Sequence, residues 1–400
     1  MDLTGGYPYW LLKTGLPHTY SRLLKDTSTE VVVLGAGISG ALAAYALQSA
    51  GMQCLLVDAR VAGMGSTCAS TSLLQYELDL PLHKLIKQIG FEKANRVWQL
   101  NSEAIDHLEK ISEVVGNKDF SRTGSLLFAA KYAHLPKLRA EFIARKEANF
   151  KVRLLTENEI GEQYGLASPL AIFSEQGACT NAYALTHAIL QYLLSRGTEV
   201  YDRTPVTRIE SDEHAVQLTT MNGHRIRAKY VVHCTGYESL QYLPPQIAKL
   251  RSTYASASVP LTEERKLWPN KAMLWNTDDP YLYLRQTDDG RILAGGCDDP
   301  FYNPASRDRL LGQRIAQLTR KVNALFGEPL FEPEFSWAGT FAITEDSLPY
   351  IGTFDGISRS YFSLGFGGNG ITFATIAADL IVKMIRDEKD PDTALFSFTR

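Results

Sequence analysis

From Val31 to Val57 the chain carries no charged residue, yet the run is not uniformly apolar. The stretch "VVVL" gives way to glycine-rich "GAGISG", then to "ALAAYALQSAG", and finally to "QCLLVDAR". Glycines at 35, 37, 40 and 51, together with Ser39, Gln48, Ser49 and Gln53, interrupt what would otherwise be long enough to span a membrane. The pattern predicts a buried strand, a helix of about three turns and a second buried strand, a β-α-β unit.

Helical and extended periods alternate through the rest. "THAILQYLLSRGTEV" reads as helix, glycine stop and strand, and "TPVTRIE" with "AVQLTTMNGHRIRAKYVVHCTG" as short strands around an Asn-Gly turn. "HKLIKQIGFEKANRVWQLNSEAIDHLEKIS" is helical, followed by a strand in "TGSLLFAA". Strands are predicted in "STYASASV", "AMLWNT", "YLYLRQT" and "RILAGG", the last two joined through "TDDG" as a hairpin. An apolar helix begins near Ile371, just after a loop rich in glycine. No internal repeat or low-complexity linker interrupts this order.

Four hundred residues exceed what a single core usually serves, so two domains are expected. A formal charge of -3, with Lys and Arg scattered, offers no footprint for nucleic acid or an anionic membrane and directs attention to a small-molecule substrate. The five cysteines are widely spaced and form no Cys-x-x-Cys pair, which reads as free thiols in a reducing cytoplasm and no metal site. The amino-terminal residues lack the basic, apolar and small-residue succession of a secretory leader.

In "VVVLGAGISG" the glycines match G-x-G-x-x-G in its proper context. Gly35 permits the turn, Gly37 admits a pyrophosphate, and Gly40 lets helix pack on strand, while Ile38 and Ser39 open the helix whose free N–H groups attract phosphate. Asp58, followed by Ala59, ends the second strand 23 positions after Gly35, near the spacing at which a carboxylate binds an adenosine ribose and repels a 2′-phosphate. NADP is disfavoured, and NAD and FAD both remain open at this point. Downstream, Ser66, Thr67, Thr71, Ser72 and Leu73 lie in a stretch of small polar residues that suits a second phosphate or a heterocycle edge, or else a surface loop.

Four separated segments, in order, resemble the D-amino-acid oxidase-like flavoproteins, the group containing glycine oxidase, sarcosine oxidase and related amine dehydrogenases. They are the β-α-β unit with "GSTCAS", "TPVTRIE", "YVVHCTGYES", and "GTFAITEDSLPYIG" with "YFSLGFGGNGITFATIAADLIVKMI". The resemblance implies an α/β fold: a discontinuous Rossmann-type FAD-binding domain (1–80, 156–240 and 336–400) with an inserted antiparallel-sheet substrate domain (81–155 and 241–335). It implies noncovalent FAD, with Val206, Thr235 and Gly236 beside it and Gly367, Gly368, Asn369, Gly370, Ile371 and Thr372 against the ring. It also implies oxidation of an amine or amino acid by hydride transfer to flavin N5, with oxygen, a quinone or another acceptor reoxidising the flavin. A hydroxy-acid dehydrogenase and a non-catalytic FAD-binding component are the competing readings on the same scaffold.

Departures from the family pattern bear on the substrate. The arginine that follows Ala-Gly in amino-acid-oxidising relatives is Phe341 here, and the one before the Asn-Gly of the flavin loop is Gly368, so a substrate carboxylate loses its usual bidentate partner. The period of two in "YLYLRQT" puts Tyr281, Tyr283 and Arg285 on one face. The resemblance aligns Tyr281 with a substrate-pocket tyrosine, and Arg285 is the candidate to replace the missing anchor. Cys297 is read as a small strand residue, because the relatives with covalent flavin attach it near the places of Gly339 and Thr340.

Overall fold

A computed structural model describes residues 1–244, 247–262 and 267–400. Two large sheets organise it. The first has six strands in the order 199–201, 54–57, 31–34, 230–233, 357–364 and 350–354, parallel except for the last pair. Val31–Leu34 and Cys54–Val57 are wholly buried: Val31, Val33, Cys54 and Leu56 face the helices, and Val32, Leu34, Leu55 and Val57 pack on Val216, Leu218 and Ile226 of a small four-stranded sheet. Ile38–Ser49 and the C-terminal helix Gly370–Ile385 share one apolar core against this sheet.

The second sheet has nine strands in the order 4–6, 333–343, 249–258, 292–299, 283–286, 273–276, 125–128, 170–174 and 152–156. It is antiparallel except where 273–276 runs alongside 125–128. The long helix Pro304–Phe326 packs on it through Ile315, Leu318 and Val322.

The sheets divide the chain differently from the expected boundaries. Thr4–Gly6 pairs with Trp337–Gly339 in the nine-stranded sheet, and Leu170–Ser174 lies there too, although both ranges were expected in the cofactor-binding part. The helix Phe91–Val114, expected in the inserted part, buries Val97, Trp98 and Ile105 in the same core as Phe373 and Ile376. Alternation of apolar and polar residues identifies a strand but not the sheet it joins, because pairing partners are set by distant chain. Among the described residues no helix is long and apolar enough to cross a membrane.

Candidate active site

A cavity of about 340 Å³ lies between the sheets, running from the first strand of the β-α-β unit to Tyr281 and Phe341. At one end Gly35 has φ +101°, and a Cβ there would sit 2.4 Å from the Cys234 carbonyl oxygen. A Cβ on Gly40 would lie 1.8 Å from the Gly35 oxygen, so the helix touches the strand turn backbone to backbone. No side chain caps the helix Ile38–Ser49; only the Ile38 N–H is engaged from outside, donating to Thr67 Oγ1 at 3.0 Å.

Asp58 accepts from the N–H of Ala36 at 2.7 Å and of Arg60 at 2.8 Å, which fixes its carboxylate at the cavity wall. Burial pushes its carboxyl above the usual range, and these two N–H groups oppose that shift. Ser66 lines the same cavity with an Oγ that is buried and has no partner. An uncapped helix N-terminus, a fixed carboxylate and an orphaned hydroxyl together fit the diphosphate and ribose of FAD.

At the other end, Asn369 does not cap its own helix. Its Nδ2 donates to the carbonyls of Gln75 (3.0 Å) and Glu77 (2.9 Å), tying the glycine loop to the 75–79 segment and leaving the amino end of Gly370–Ile385 open to the cavity. Asp79 in that segment accepts from the Gly368 N–H and from the Tyr281 hydroxyl, both at 2.8 Å. A Cβ on Gly368 would fall 2.8 Å from Asp79 Oδ1 and 2.9 Å from the Tyr281 hydroxyl. Space for a side chain at Gly368 is thus taken up by a carboxylate and a phenol. Burial, reinforced by Asp79, raises the Tyr281 phenol well above its ordinary value, so it stays neutral and donates.

Tyr283 also lines this chamber, and Gly295 makes room for it: a Cβ there would meet the Tyr283 hydroxyl at 2.1 Å. Across from it Asp298 is pushed up to about 6, first by burial and then by the Asp79 charge, with Thr253 and Arg251 opposing.

The sequence-predicted cofactor contacts all line the cavity except Gly40, which serves packing. Of the substrate candidates, Tyr281 and Phe341 line it and Arg285 does not. Arg285 Nη1 donates to the carbonyls of Thr71 (3.2 Å), Ser72 (3.0 Å) and Thr180 (2.7 Å), and the guanidinium lies over Trp10. The expectation that it replaces the missing carboxylate anchor is therefore corrected: it braces the 71–72 loop from behind. Cys297 packs in the core of the nine-stranded sheet, away from the cavity wall.

Sequence reasoning missed Glu77, Asp79, Trp275 and Asp298, all of which line the cavity. A signal for two of them was present. In "QYELDL" the polar residues Gln75, Glu77 and Asp79 alternate with Tyr76, Leu78 and Leu80, and the structure puts the first set on the cavity and Tyr76 and Leu80 in the core or packed against it, with Leu78 belonging to both.

The chain is similar to known proteins over most of its length. The chain is 24% identical over 382 residues to gamma-glutamylputrescine oxidoreductase of Escherichia coli, covering 93% of this chain and 87% of that protein. It is 26% identical over 372 residues to glycine oxidase of Bacillus licheniformis, covering 89% and 92%. The crystal structure of glycine oxidase from Geobacillus kaustophilus superposes with a TM-score of 0.78 at 19% identity, covering 93% of this chain and 99% of that one, which shows the shared fold. The family model described as FAD dependent oxidoreductase (DAO) matches residues 30–384, so the chain belongs to that family and is an FAD-dependent oxidoreductase.

Proposed function

We propose that the protein oxidises a carbon–nitrogen donor, an amine or amino acid, to an imine that water then hydrolyses. The observation that carries this reading is the single cavity that joins the Gly35–Gly40 loop to a chamber walled by Tyr281, Tyr283 and Phe341 beside an open helix N-terminus. The names of its relatives, gamma-glutamylputrescine oxidoreductase and glycine oxidase, support a nitrogen-bearing donor.

FAD, when bound, supplies the two-electron acceptor, taking a hydride at N5. In the donor, the C–H bond breaks with its electron pair, the nitrogen lone pair closes the C=N bond, and a nitrogen proton leaves to solvent. The chain's own part is placement and field. Phe341 and the two tyrosines hold the donor and exclude water, and the amino end of Gly370–Ile385 provides partial positive charge to the chamber.

Anaerobic mixing of the holoenzyme with a panel of amines, amino acids and hydroxy acids tests this, with flavin absorbance as the readout. Bleaching by at least one nitrogen donor is expected. Bleaching by hydroxy acids alone would replace the reading, and bleaching by dithionite alone would make the chain a non-catalytic FAD carrier.

The attachment is proposed to be noncovalent: all five cysteines are buried, and burial pushes Cys234, the one that lines the cavity, up to about 12, leaving a thiol that is unreactive at neutral pH. Acid precipitation is expected to leave the yellow colour in the supernatant; a yellow pellet would overturn this.

A further inference from the structure

We propose that the chamber between Asp79 and Asp298 holds the donor as a cation, an alkylammonium group with no carboxylate on the reacting carbon. This deepens the reading above and rests on it for the nitrogen being the reacting end: the ammonium binds, gives one proton to the Asp298 carboxylate, and the lone pair so freed closes the C=N bond as the hydride leaves. Three observations converge.

The first is an unsatisfied acceptor. Asp298 lines the cavity, and its Oδ1 is buried with no hydrogen-bond partner. A carboxylate oxygen withdrawn from water and left without a donor is costly unless a ligand supplies one. Asp79 lies close enough to make ionisation of Asp298 harder, so two carboxyl groups share one chamber and a cation between them relieves both.

The second is the distribution of positive charge. Arg60 is the only Lys, Arg or His among the described residues lining the cavity, and it is at the adenosine end, bound to Glu238 at 2.7 and 2.8 Å. Arg251, which Asp298 feels, stands opposite Phe341 across the paired strands 249–258 and 333–343 and does not line the cavity. A carboxylate placed beside Asp79 would meet one like charge with both oxygens already engaged and a second in Asp298, with no arginine in the wall to answer it.

The third is the wall itself. Trp275 and Tyr281 meet at 5.9 Å between ring centroids, and Tyr281 and Tyr283 at 5.8 Å. Aromatic faces beside two carboxyl groups suit an organic cation. A metal ion is a poorer fit, since among the described residues no cluster of three or more His, Cys, Asp or Glu is arranged to hold one.

The test uses three probes of one shape that have no hydrogen on the carbon bearing the polar group and so cannot be oxidised there: tert-butylammonium, pivalate and tert-butanol. Each is titrated into the FAD-loaded protein while the visible flavin spectrum is followed. The cation is expected to bind at least tenfold more tightly than pivalate. Asp298→Asn and Asp79→Asn, checked for retained flavin, are each expected to weaken the cation at least tenfold while leaving tert-butanol unchanged.

Pivalate binding as tightly as the cation would overturn the proposal, as would two flavin-loaded variants that bind the cation like the wild type. If a variant loses flavin, the wild-type ratio of cation to pivalate decides. The two levels separate cleanly. Cation preference without bleaching by any amine would sink the oxidation reading alone, whereas bleaching by a nitrogen donor with pivalate preference would sink the cation site alone.

Discussion

Gly40→Ala is expected to yield a protein that purifies without flavin. The added Cβ would stand 1.8 Å from the Gly35 carbonyl oxygen, and that oxygen belongs to backbone which has no rotamer with which to retreat. Either the helix Ile38–Ser49 moves off the strand turn or the turn opens, and both displace the N–H groups that face the diphosphate. Overpacking against backbone costs about 3 kcal/mol or more in stability. Gly51→Ala is the control. It ends the same region with nothing within 4 Å of its Cβ site, though its φ is +77°, so a loss of about 1 kcal/mol with flavin retained is expected. The ratio of visible to ultraviolet absorbance after purification reads the first effect, and thermal unfolding the second. A Gly40→Ala protein carrying one flavin per chain would show that close helix–strand contact is not what holds the cofactor.

That contrast also marks what the sequence made legible. The positive φ at Gly35 and the contact of Gly40 with the Gly35 oxygen are local, set by one turn and one crossing, so spacing reveals them. The strands near Met273–Asn276 and Ile292–Asp299 were visible as short runs of strand-forming residues near turn signals, which are local too. Sheet membership was not, because Thr4–Gly6 finds its partner more than 300 residues away. Arg285 shows the limit sharply. The period of two set it on the side of Tyr281 and Tyr283, yet the 71–72 loop and Thr180, which take its hydrogen bonds, come from elsewhere in the chain. Asp79 and Asp298 stand 219 positions apart (298 − 79), on segments that do not predict one another. Resemblance could report that the two arginines are missing. Only the fold reports that Asp79 lies against Gly368, one of those two positions.

Arg145→Met is expected to be the most damaging single change beneath the site. The guanidinium is fully buried, donating from Nη1 to Glu77 Oε1 at 3.0 Å and from Nε to Glu141 Oε1 at 2.8 Å, over the Trp98 ring. Burial favours the neutral form of both acids. Against it Arg145 and His83 hold Glu141 down at about 2, whereas at Glu77 burial prevails and the carboxyl is raised. Removing the cation leaves two acids in a dry interior with one neighbour each gone, a loss of about 3–5 kcal/mol. Urea unfolding of the apoprotein measures it. Adding Glu77→Gln to Arg145→Met is expected to recover part of the loss, because the cost lies in the stranded charge rather than in the missing bond. The damage also reaches the site. The Glu77 carbonyl takes the Asn369 side chain and Asp79 lies two residues on, so loosening this segment frees the glycine loop from behind. Flavin should therefore dissociate faster from Arg145→Met than from the double variant. Equal rates, or a single variant as stable as the wild type, would mean that the buried charges do not anchor the 75–79 segment.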